Sequence, residues 1–132
     1  MSILHARVRG ADDVVALARE LVPDGDVEGM VVVGLDRESR PCGVALNPNH
    51  RALSFVKVWE LRALAEELEA CSLVVMLFPS GACRAPTHHE IGAFVDLALR
   101  AHRAQVLLRD CIVVRAHHWW SLRELSAESC GG

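Results

Sequence analysis

The stretch 77–90, LFPSGACRAPTHHE, gathers the side chains best suited to chemistry. Cys83, His88, His89 and Glu90 fall within eight positions. Thiolate, imidazole and carboxylate are the donors that zinc takes. Neighbouring side chains on a helix point roughly 100° apart, so His88 and His89 do not readily share one ion. Cys83 with His89, or His88 with a distant His50, His117 or His118, is the easier geometry. A second chemistry is a nucleophilic Cys83, activated by a helix N-terminus and an imidazole, with His89 and Glu90 as its catalytic partners. Arg84, in the same loop, could recognise an anionic group. A third account needs no chemistry at all. Residues 87–90, THHE, have the S/T-x-x-E form of a capping box, in which Thr87 and Glu90 serve each other's amides. Pro79, Ser80 and Gly81 would simply turn the chain after a strand. From the residues alone all three remain open.

The elements that must hold this stretch can be read from periodicity. Residues 11–22 place Val14, Leu17, Leu21 and Val22 on one helical face. Residues 29–36 (GMVVVGLD) are short, β-branched and bounded by turn residues, as a buried strand would be, and 42–47 supply its hairpin partner. Residues 56–70 form the clearest helix, with Val58, Leu61, Leu64, Ala65 and Leu68 as its stripe and Trp59 partly buried beside it. Residues 72–78 (SLVVMLF) read as a central strand. Residues 89–103 read as a second amphipathic helix, with Ile91, Phe94, Val95 and Ala98 inward. Residues 105–124 read as two or three short strands, and 125–132 as a flexible tail. The expected class is α/β (α+β): one domain over 1–132, its core at about 11–124, with a mixed β-sheet flanked by helices.

Composition narrows the function classes. At 132 residues and 52% hydrophobic, the chain can bury a core. Its net charge is −3 with the signs interspersed, so a nucleic-acid partner is not expected. No run approaches the roughly 18 apolar residues of a membrane span, and no signal peptide is visible, so the expected compartment is the cytoplasm. The five cysteines are odd in number and none is spaced as CxxC, which predicts free thiols. Cys71 and Cys111 flank apolar runs and read as small core residues. In HHWW (117–120), strand alternation sends His117 and Trp119 one way and His118 and Trp120 the other. Trp119 and Trp120 are candidates for a partner-binding patch.

The pieces PSG (79–81), PTHHE (86–90), LRDCIVV (108–114) and SLRE (121–124), taken in this order, resemble the RadC-like branch of the JAB/MPN family. That family has a strand ending in His-Asn-His-Pro-Ser-Gly, a Pro-Ser-x-x-Asp helix start and a Leu-Asp-His strand. A Ser-Leu-Arg-Glu-like segment closes its last strand. The resemblance covers most of residues 29–124 and implies a single JAB/MPN-like domain. Active members are zinc hydrolases that cleave peptide or isopeptide bonds. Carried over one position at a time, their two histidines fall on Met76 and Phe78, their aspartate on Glu90 and their serine on Thr87. No glutamate stands on the second hairpin strand, where their general base lies, and Glu38 in the preceding turn is the nearest. A thioether is a poor zinc ligand and a phenyl ring is none. The resemblance therefore implies a degenerate metal site with no resident cofactor, zinc entering only through a non-standard set. It implies a homodimeric scaffold that binds an unidentified protein or small molecule. The alternative is an enzyme with a site rebuilt in the old cleft from Cys83, His88, His89 and Glu90, beside Ser80 and Arg84.

Overall fold

The structure, a computed structural model, describes residues 7–21, 29–47, 53, 56–78, 85–115 and 118–130. The order is α1 (Ala11–Leu21), β1 (Gly29–Leu35), β2 (Pro41–Asn47), α2 (Val58–Glu67), β3 (Ser72–Phe78), α3 (His88–Arg103), β4 (Leu107–Arg115), β5 (His118–Ser121) and α4 (Leu122–Cys130). The five strands form one mixed sheet in the order β2-β1-β3-β4-β5. Among the described strands only the β3–β4 pair is parallel, joined through α3 as a parallel connection requires. The other three pairs are antiparallel. This is the mixed sheet with flanking helices that the periodicity predicts. None of the described helices is long and apolar enough to cross a membrane.

The central strands are apolar on both sides because helices cover both faces. Met30, Val32, Leu73, Val75 and Leu77 face the layer of α2, α3 and α4. Val31, Val33, Val74, Met76 and Phe78 face α1, which supplies Ala11, Val14, Val15 and Leu17. This is why GMVVVGL and SLVVMLF show no polar alternation yet are strands: every residue of each is buried.

Two helices end alike. After α2, Glu69 takes a left-handed φ of 53°, Ala70 N–H donates to Ala65 O at 2.9 Å and Glu69 N–H to Glu66 O at 3.2 Å. After α3, Gln105 takes φ 64°, Val106 N–H donates to Ala101 O at 2.9 Å and Gln105 N–H to His102 O at 3.0 Å. Both are Schellman endings, with a non-glycine residue where glycine is favoured. They reverse the chain sharply, so that β3 and β4 start beside each other, and the paired starts Ser72 and Leu107 show it.

The end of α2 sits hard against the hairpin. A methyl group on Gly34 would stand 2.8 Å from Ala70 Cβ, and one on Gly43 2.8 Å from Leu68 Cδ2. The paired glycines Gly34 and Gly43 are therefore the floor on which α2 lies.

Several sequence expectations need correction. Trp59 is 71% exposed, because it lies off the stripe of Val58, Leu61, Leu64, Ala65 and Leu68. Val95 faces solvent, and Leu97 takes the buried place in α3 with Phe94 and Ala101. Cys71 is exposed, since it precedes β3 and does not enter it, whereas Cys111 is buried. Residues 125–130, expected as a flexible tail, continue α4, with Leu122 and Leu125 packed on the α2/α3 side. The segment 122–124 is helix and not strand.

Replacing Gly34 by alanine is expected to destabilise the fold by about 1–3 kcal/mol through overpacking against Ala70. Gln105→Gly is expected to stabilise it by up to ~1 kcal/mol by relieving the left-handed strain. Urea unfolding of the two variants beside the parent measures both, and equal midpoints for all three would contradict them.

Candidate functional site

The end of β3 and the start of α3 carry most of the candidate residues. Thr87 caps α3 from an extended backbone (φ −81°, ψ 166°), its Oγ1 accepting from Glu90 N–H at 3.2 Å. The Thr87 hydroxyl donates to Glu90 Oε1 at 3.4 Å, and Ile91 N–H closes the first turn on Thr87 O at 3.0 Å. The capping account of THHE is thus realised at the Thr87 side chain. His88 and His89 are exposed in that first turn, and Glu90 is half-buried. Ser80, Cys83 and Arg84, with His50 and His117, lie outside the described residues.

The two positions matched to the family's histidines are buried. Met76 has no exposed surface and Phe78 is 8% exposed. Both point to the α1 side, among Val31, Val74 and Ile112. Glu90 is carried by α3, whose buried residues pack on the opposite side of the sheet. Its negative charge reaches Cys111 on β4, where it adds to burial and Asp110 in pushing that thiol well above its usual range. The side chains of Met76 and Phe78 are accordingly directed to the other face of the sheet from the helix that bears Glu90. Among the described residues no three His, Cys, Asp or Glu side chains are grouped to hold a metal ion.

The HHWW segment divides as strand alternation requires. His118 and Trp120 stack with ring centroids 6.0 Å apart and planes at 26°. Trp119 is half-buried against the α1-side cluster. Cys42, also exposed, lies 3.5 Å from Leu68 O, and burial and then Asp36 raise its thiol pKa.

The most connected polar group is one the sequence reading passed over. Asp110 is 3% exposed on β4. Its Oδ1 accepts from Cys111 N–H at 2.7 Å and Arg123 N–H at 3.1 Å. Its Oδ2 accepts from the Ser121 hydroxyl at 2.6 Å, with Arg123 Nε at 3.9 Å. Ser121 Oγ in turn accepts from Glu124 N–H at 3.2 Å. Ser121 is therefore the N-cap of α4, and Asp110 serves the next free amide of the same helix end. The signal was present: SLRE has the same S-x-x-E form as THHE.

Asp110 also lines a small half-open pocket on the α1 side, together with Val8, Val14, Val74, Arg109 and Arg123. Its floor admits about one water-sized group. Arg109 is half-buried, and its Nη1 donates to Ser39 Oγ at 2.9 Å. Ser39, at φ 64° in the β1–β2 turn, also accepts from Val8 N–H through its carbonyl at 2.7 Å. The turn, the approach to α1 and β4 are tied together at this one residue.

Burial raises the Asp110 pKa above its ordinary 3.8, against the lowering pull of Ser121, Arg123 and Cys111. The folded state then holds that proton more tightly than the unfolded chain. The contribution is full below pH 3.8 and is lost as pH climbs through the raised folded value. The stability of the parent minus that of Asp110→Asn, measured by denaturant titration, should therefore fall as pH rises from about 4, levelling off once Asp110 is ionised. A difference that rises with pH would reverse the sign. Ser121→Ala removes both a donor to the buried carboxylate and a helix cap, and should cost about 1–3 kcal/mol at any pH in that range.

No family model matches the chain, and neither does any curated protein.

Proposed function

We propose that this chain is a RadC-like JAB/MPN module that does not carry out zinc hydrolysis and works as a homodimeric binding or assembly unit. The observation that carries the reading is the packing of Met76 and Phe78. At the positions where the resemblance puts two zinc-binding imidazoles, these side chains are buried in apolar contacts with α1 and neighbouring strands. A hydrated dication among such groups would be costly without new ligands. The order of elements supports the resemblance: PTHHE opens α3, LRDCIVV lies in β4, and SLRE leads from β5 into α4.

Assembly finds support at the sheet's edges. Edge strand β2, PCGVALN, carries no charged side chain and exposes Val44 and Leu46. Charged residues are the usual device by which an edge strand resists pairing. On the opposite edge, β5 presents the stacked His118–Trp120 pair and the half-buried Trp119.

A second reading, a rebuilt active site, draws on the first turn of α3, where exposed His88 and His89 adjoin Glu90. Cys83, Ser80 and Arg84 would complete it.

Three measurements test the proposal. Protein purified without added metal should contain far less than one zinc per chain, and Cys83 should label with an electrophile at the rate of an ordinary thiol. Stoichiometric zinc lost in Cys83→Ala or His89→Ala, or a Cys83 that reacts fast at neutral pH, would replace the proposal by the second reading. Sedimentation should give twice the chain mass of 14.5 kDa, shifting to one chain mass in Leu46→Lys. A parent protein that stays monomeric at all concentrations would remove the homodimer.

A further inference from the structure

We infer that edge strand β2 pairs antiparallel with β2 of a second copy about a two-fold axis at Ala45, joining the two sheets into one. This pairing rests on the homodimer proposed above and gives it a surface and a register.

The character of the edge directs the choice of partner. Among the described strands β2 has one neighbour, β1, so its outer N–H and C=O groups face away from the ladder. The strand PCGVALN carries no charge, and a symmetric copy therefore brings no like charges together. Val44 and Leu46 are 37% and 69% exposed. They pair with Val33 and Val31 of β1, whose side chains lie in the layer of α1. The apolar rows of that layer thus continue onto β2 and end at solvent.

Symmetry and the pleat leave few registers. A two-fold axis normal to the sheet keeps every side chain on its own face, and residues directly opposite must share a face. The ladder with β1 is regular over Gly43–Asn47, is broken at Gly34/Leu35 beside Cys42, and ends at Pro41, which has no N–H. Centred on Ala45, the new ladder uses the whole regular stretch: Gly43 meets Asn47, Val44 meets Leu46, and Ala45 meets itself. One step in one direction sets Val44 against itself, Leu46 against Cys42 and Asn47 against Pro41. One step in the other direction sets Leu46 against itself and leaves Gly43 and Val44 beyond the end of the partner strand.

The Ala45 register also closes both apolar rows. Val33 and Val44 of one copy line up with Leu46 and Val31 of the other, and the axis repeats the row. The larger and more exposed Leu46 lies against the smaller Val44, so each covers what the other leaves open.

The test is sedimentation of the full chain over a concentration series, with charges placed by the register. Val44→Lys alone and Leu46→Glu alone each set a charge against an apolar side chain, twice by symmetry. Each should weaken the dimer about tenfold or more. The double variant Val44→Lys/Leu46→Glu sets the new lysine against the new glutamate on both sides of the axis and should dimerise again. An equimolar mixture of the two single variants should do so too, whereas Val44→Lys/Leu46→Lys should stay monomeric. Both positions are exposed on an edge, so each variant should keep the circular dichroism of the parent. Should one lose it, hydrogen exchange of the parent decides: the amides of Gly43–Asn47 directed away from β1 should slow as concentration rises through the dimer transition. A parent monomeric at every concentration would remove the homodimer and this pairing together. A dimeric parent whose single variants still dimerise, whose double variant stays monomeric, or whose β2 exchange ignores concentration would keep the homodimer and overturn the pairing.

Discussion

Strand β4 carries one more residue than its parallel partner β3 at the point where the two polar neighbours Arg109 and Asp110 stand. Leu73 pairs with Leu108 and Val74 with Asp110, so Arg109 is the extra residue. A strand alternates its side chains strictly, and one inserted residue exchanges the two sides from there on. Leu108 faces the layer of α2, α3 and α4, and so do Cys111 and Val113. Ile112 and Val114 face α1. Without the insertion Leu108 would share a side with Asp110 and Ile112, and the apolar set beyond it would sit in the wrong layer. The bulge lets one strand serve two cores and concentrates its polar residues in the gap between them.

That gap coincides with the place where β5 stops. Ser121 pairs with Ile112, and the chain then turns at once into α4. Nothing in a ladder can serve the backbone there, so a side chain must. Asp110 does this. It accepts from two amides and a hydroxyl, and the hydroxyl caps the helix one residue further on. Each bond to a charged acceptor is worth roughly 1.5–3 kcal/mol, the order of magnitude needed to offset the burial of one carboxylate. The net effect on its protonation still favours the neutral form, since burial outweighs the donors. The group ties the start of α4 to β4, and α4 with α3 closes the core over β4.

How far the sequence revealed this depends on which signal was local. The strands 29–35 and 72–78 were legible because burial on both sides leaves a continuous apolar run between turn residues. The cap at Thr87 was legible because its partner is three residues away. SLRE has the same grammar, but it follows RDCIVV and HHWW, and that apolar run made it look like the close of a strand. Trp59 and Val95 were misplaced because helix periodicity fixes a face only to within about one position, and the tertiary neighbours decide the rest. The bulge had no sequence signature beyond two charges inside a strand. Asp110 was therefore passed over, although a buried acid among β-branched residues demands partners. The chemical candidates Cys83, Ser80 and Arg84 were legible only as residue types, since their positions lie outside the described residues.

The two ends of the sheet differ in what they demand of their side chains. At the end of β3, Met76 and Phe78 are held by packing from α1 and the neighbouring strands, which rewards apolar volume and penalises an imidazole without a ligand. A polar site there would need the apolar contacts replaced together with the side chains, so the loss of metal chemistry proposed for this chain is coupled to the stability of the α1 layer. At the other end the bulge has already broken the ladder, and polar groups are tolerated because each has somewhere to direct its bonds. Arg109 donates to the Ser39 hydroxyl and Asp110 accepts from the Ser121 hydroxyl, and among the described residues no buried side-chain polar atom is left without a partner.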